Sequence, residues 1–173
     1  SSSMNTGPTM TKNLINIVLF QLGWFICVWG VNVYALTYTL VALLIHHFFI
    51  MRNHREWLLI GIVTLTGVCW DAWVAHNGWM IYHSLDVFGL PIWLMCLWLL
   101  FGTTLQHSLI WLQSQPLWAA TLGLIFGPLS YWAGSQWGAA QIGSPMNTAL
   151  LMMGLGWLVL LPCYFKIAQR LNI

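Results

Sequence analysis

The chain has 173 residues, 60% of them hydrophobic and 5% charged, with a formal net charge of +2. Soluble domains carry about a quarter charged residues. Five Lys or Arg and three Asp or Glu cannot clothe a water-exposed surface of this size, so lipid is the solvent for most of it. This excludes a secreted domain, a cytosolic enzyme and a disordered linker, and the lack of a basic patch excludes nucleic acid as a partner.

Residues Ser1 to Ser3 precede Met4 and read as a cloning scar. Residues 1–11 are expected to be that scar and a flexible tail, and 12–173 a single transmembrane domain. The apolar run after Lys12 is too long for a signal peptide, and no Ala-x-Ala site follows it. Hydropathy predicts six spans at 13–30, 33–51, 57–76, 88–113, 117–134 and 146–169, each near the length of about 20 residues that a bilayer requires. Gly30-Val31-Asn32 forms the first turn, and Met51 to Glu56 a charged loop. Asn77-Gly78 opens an aromatic loop, while Gln113 to Pro116 and Gly143 to Pro145 precede the last two spans. The long fourth span predicts a tilt or a kink near Gly102. Lys12, Arg52, Arg55, Lys166 and Arg170 all fall on one side of this topology, which the positive-inside rule makes cytoplasmic, together with both termini. The fold class is therefore an all-α, six-helix membrane bundle.

The four cysteines, Cys27, Cys69, Cys96 and Cys163, lie in apolar runs without Cys-x-x-Cys pairing and read as small core residues. Most of the 13 tryptophans sit near span ends, as an interfacial belt requires. Trp24, Trp98 and Trp157 lie about 15 Å along their helices, where an indole fills space between helices, walls a pocket or stabilises a cation.

Polar groups at membrane depth are functional candidates by default. On a rise of 1.5 Å per residue, Asn16, His46, His107, Gln21 and Thr104 lie about 5 to 14 Å from the cytoplasmic face, in one layer. Asp71 lies about 21 Å deep, level with Tyr131. No Lys or Arg shares the depth of Asp71, so it must be protonated, wet, or bonded to donors such as Tyr131 or an indole. His46 and His107 offer two ligands at one depth, but no acidic or Cys ligand is evident beside them and no His-x-x-x-His occurs, so no metal or cofactor is expected. Gly123-x-x-x-Gly127 followed by Pro128 is a close-packing face with a kink, able to seat a second copy or another chain.

The segments Asn16 to Phe25, Leu90 to Trp93, Leu97 to Leu109 and Gly127 to Gly134 resemble, in matching order, the uncharacterised bacterial inner-membrane family filed as domain of unknown function 2878. The resemblance implies a Gram-negative inner membrane and, through the fatty-acid-modifying enzymes encoded beside family members, a link to lipid. It implies no activity.

Three functional readings fit. In the first, the chain is a membrane enzyme or enzyme accessory handling a lipid- or isoprenoid-like molecule. There His107 and His46 move a proton, Asp71 is a buried acid, and Gln21, Thr104, Asn16 and Tyr131 orient an apolar ligand walled by Trp24 and Trp98. In the second, it is a small transporter or channel with Asp71 as the outer proton or cation site. In the third, it is an assembly subunit that binds through the Gly123/Gly127 face. An aromatic, nearly uncharged interior suits an apolar ligand better than an ion, which favours the first.

Overall fold

The computed structural model describes residues 6–171 and residue 173, so Ser1 to Ser3 lie outside the described residues. Among the described residues six α-helices run in order: α1 (Thr6–Val28), α2 (Asn32–Ile45), α3 (Glu56–His76), α4 (Ile92–Gly102), α5 (Pro116–Ser135) and α6 (Met146–Arg170). Among the described residues, four helical segments are long and apolar enough to cross a membrane: Thr9–Val28, Asn32–Ile50, Glu56–His76 and Met146–Arg170. Leu40, Phe48, Phe49, Leu65 and Val159 are all exposed on these segments, the covering that hydrocarbon tails require.

Several expected boundaries move. Helix α1 begins at Thr6 rather than at residue 13, so residues 6–11 are helical rather than a loose tail. The fourth span is not one helix over 88–113. Helix α4 stops at Gly102, a run of turns covers 103–109, and a short 3-10 turn follows at Ile110–Leu112. The cause is local. A Cβ at Gly102 would lie 3.2 Å from Ile60 Cα, so α3 and α4 approach closely there. Directly after it, Thr103 and Thr104 turn their hydroxyls back onto the carbonyls of Leu100 and Phe101 at 2.6 and 2.7 Å. Such bonds compete with the helical ladder.

The loops after α3 and α5 also hold two short strands that the all-α reading omitted. Strand β1 (Met80–Tyr82) pairs antiparallel with β2 (Ala140–Ile142), Ile81 opposite Gln141. This ribbon joins two bodies: the cluster of α1 to α4, and the hairpin of α5 on α6. Within the hairpin, a Cβ at Gly127 would lie 2.5 Å from Trp157 Cγ, and one at Gly123 2.3 Å from Trp157 O. The glycine face expected to seat another chain is thus filled by α6 of the same chain.

Cysteine placement divides. Cys27 and Cys96 are core residues, as expected, but Cys69 and Cys163 are exposed on the outer surface.

Candidate functional site

Asp71 is buried towards the C-terminal end of α3. One carboxylate oxygen accepts the indole N–H of Trp98 at 2.6 Å, and the other accepts the hydroxyl of Tyr131 at 2.5 Å. The Tyr131 oxygen in turn accepts the indole N–H of Trp157 at 3.3 Å. Trp98 and Trp157 stack with centroids 5.1 Å apart and planes 8° from parallel. A carboxylate without a cation among the described residues is thus held by fixed donors from α4 and α5, and the Trp157 indole supports it indirectly through Tyr131.

These groups form one wall of a cavity of about 670 Å³ between α1 and α5. Gln21, Trp24, Phe101, Ser130 and Trp137 line the remainder, and Trp24 donates to Ser130 at 3.1 Å across it. Tyr82, on β1, also lines the space, and its buried hydroxyl has no partner among the described residues. The volume falls in the range of small-molecule sites, which are mostly apolar with a few fixed polar groups.

A second cluster lies at the other end of α3. His46 occupies a single π-helical turn, His46–Ile50, closed by Met51 N–H donating to His46 O at 2.7 Å. Glu56 is the first residue of α3, and His107 lies on the unwound segment after α4. His46 Nε2 is 2.6 Å from Glu56 Oε1, and His107 Nε2 is 2.9 Å from Oε2 and 3.1 Å from Oε1. All three side chains are buried, and the rings meet edge to face at 4.9 Å. The expectation that no acidic ligand stands near the two histidines is therefore corrected. Glu56, assigned from sequence to the charged loop, is inside.

Asn16 secures the unwound segment. Its amide donates to Thr103 O at 3.0 Å, and its oxygen accepts the Ser108 backbone N–H at 3.2 Å and hydroxyl at 2.6 Å. Irregular backbone at membrane depth needs such internal partners. At the far end Asp86 accepts from Asn32 and Ser84, each at 2.8 Å, and from the Ile92 backbone N–H at 3.2 Å. Bonds from Ser84, then Asn32, then Ile92 hold its carboxyl below the ordinary range, and its charge suits the N-terminus of α4.

The family model described as "Protein of unknown function (DUF2878)" matches residues 13–163. The chain belongs to this family. No curated protein and no solved structure matches it.

Within this family member the single inner layer expected from depth splits into three. His46 and His107 meet at Glu56. Asn16 binds backbone beside His107, and Thr104 is buried with its hydroxyl on its own helix end rather than in a site. Gln21 belongs instead to the cavity that Asp71, Trp24, Trp98 and Tyr131 line. Neither His46, Glu56 nor His107 lines that cavity. Glu56 and Asp71 stand 15 positions apart on α3, about 22 Å along its axis.

Proposed function

We propose that this family member is a six-span inner-membrane protein, both termini cytoplasmic, that takes a lipid- or isoprenoid-like molecule into the cavity between α1 and α5 as an enzyme or enzyme accessory. The observation that carries the reading is the cavity itself: aromatic walls around one hydrogen-bonded carboxylate, Asp71. Apolar walls recognise the chain of such a ligand, and Asp71, Tyr131 and the free hydroxyl of Tyr82 offer hydrogen bonds to its polar group. The transporter reading needs a path from Asp71 to His107, and His107 is not among the cavity residues. The scaffold reading needs the Gly123/Gly127 face, which Trp157 covers.

Support for the topology comes from the helix ends. Arg55 donates to Leu171 O at 3.4 Å and Gln169 to Gln113 O at 3.2 Å, which brings the turns before α3 and α5 to the end of α6. The β ribbon gathers the opposite loops. On the proposed topology all five basic residues fall at the first end, the arrangement of a cytoplasmic face.

The test is mass spectrometry of organic extracts from detergent-purified protein. An apolar molecule near one per chain is expected in the wild type and depleted in Ser130→Trp, whose indole would enter the cavity. Equal retention by both proteins, or none by the wild type after reconstitution with native lipid extract, refutes the reading.

A further inference from the structure

We propose that His46, Glu56 and His107 hold one divalent first-row transition ion, bound through the two Nε2 atoms and the Glu56 carboxylate. The three ligand atoms lie within 4.8 Å of one another and come from three separate segments. Two neutral imidazoles and one carboxylate form a donor set suited to zinc or ferrous iron that leaves coordination positions open. Adjacent ligand atoms at right angles around an ion, each about 2.1 Å from it, are about 3 Å apart. The His107 Nε2 to Glu56 contacts, 2.9 and 3.1 Å, have that spacing, while the His46 Nε2 to Glu56 contact of 2.6 Å must open by a few tenths of an ångström to admit the ion.

Charge points to the same ion. Glu56 is 1% exposed, and among the described residues its ion-pair partners are the two histidines alone. Arg55, its neighbour in sequence, is directed to Leu171 O instead. A buried carboxylate needs compensation: neutral indole and hydroxyl donors supply it at Asp71, whereas Glu56 faces only the two imidazoles, and a divalent ion between the three groups would balance its charge.

The backbone also departs from regular helix to aim these side chains. His46 comes from a π turn, a feature that recurs at functional sites, and His107 from a helix unwound and tied back by Asn16. Both Nδ1 atoms are buried with no hydrogen-bond partner among the described residues. A histidine pair serving only to knit the bundle would use both nitrogens. Here both Nε2 atoms converge on one carboxylate instead, and with Nε2 turned to the ion each Nδ1 carries the ring proton, for which an ordered water is the acceptor.

The experiment uses untagged full-length protein in detergent. Elemental analysis by plasma mass spectrometry should find close to one zinc, iron or manganese per chain. Chelation should lower the thermal midpoint, and Zn2+, Fe2+ or Mn2+ should restore it. Reloading stripped protein with Co2+ should give visible ligand-field bands that are absent from Glu56→Gln and His107→Ala. If both variants fail to fold, the wild-type arms decide alone. Wild type without stoichiometric metal, whose midpoint responds to neither chelator nor the added ions, overturns the proposal. So does cobalt binding that survives in a folded Glu56→Gln.

Discussion

Trp98 reaches Asp71 by lying over Gly67, one turn earlier on the same helix. Its indole N–H donates to the carboxylate at 2.6 Å, while a Cβ at Gly67 would sit 2.2 Å from its Cδ2 and Cε3. The missing side chain and the buried acid are therefore one device, in which the glycine admits the ring and the acid fixes its angle. Trp98→Phe keeps an aromatic ring there but removes the donor, leaving Asp71 Oδ2 buried without a partner. The expected loss is about 1–3 kcal/mol, the cost of an unsatisfied buried polar group. In a double-mutant cycle of thermal unfolding, Asp71→Ala with Trp98→Phe should cost clearly less than the two single losses added together. Strict additivity would mean that the bond contributes nothing.

Gly67 and Gly61 give a paired test on one helix. Gly67→Ala forces the Trp98 indole away, and overpacking of this kind costs about 1–3 kcal/mol. At Gly61 a Cβ would meet nothing within 4 Å, so Gly61→Ala should be neutral or stabilising by up to about 1 kcal/mol through helix propensity. Thermal midpoints in one detergent compare them directly. The Gly67 variant should also show altered tryptophan emission, because the Trp98–Trp157 stack moves with it.

Much of this chain was legible because the bilayer simplifies the physics. Uniformly apolar runs give helices, and scarce charges mark their ends. Asp71 was legible for the same reason: with no cation at its depth it needed hydroxyl or indole donors, and Tyr131 and Trp98 are those donors. What failed was the assumption of ideal helices. Depth arithmetic put Gln21 with the histidines because depth alone cannot say which helices are neighbours, and Gln21 faces the cavity. Glu56 was lost among Arg52, His54 and Arg55, a setting that reads as solvent. The available signal was its position immediately before the apolar run from Trp57, which makes it the first residue of a helix rather than the last of a loop. The π turn at His46 and the unwinding after Gly102 follow from packing between helices and leave no periodic trace in sequence.

Asn16 carries more than one hydrogen bond's worth of structure. Asn16→Leu would leave Thr103 O and the Ser108 N–H without partners, at about 1–3 kcal/mol for each group that stays buried and unmet. The loss should be local before it is global. Amide exchange across residues 103–109 should accelerate under conditions in which α3 and α6 remain protected. Exchange rising equally in all helices would show that Asn16 supports the bundle as a whole and has no special hold on the segment that carries His107.

Asp86 gives the N-terminal ends of α2 and α4 a defined acid response. Its carboxyl is held below its ordinary value of 3.8 by bonds from Ser84, then Asn32, then the Ile92 backbone N–H. Because the folded value is the lower one, the stabilising contribution is fully present above that ordinary value and is lost as pH falls through the folded value. Protonation removes charge from the oxygen that three donors share and from the N-terminus of α4. The Ile92 amide should therefore exchange faster, relative to intrinsic rates, as pH drops below about 4. Asp86→Asn should abolish that step and leave a weaker, pH-independent protection, since an amide oxygen still accepts from Ile92 and Asn32. Side-chain bonds from Ser84 and Asn32 make the network local, so the cavity tryptophans should keep their emission through the same titration. A parallel change in tryptophan emission would mean that acid opens the bundle elsewhere and that Asp86 is not its trigger.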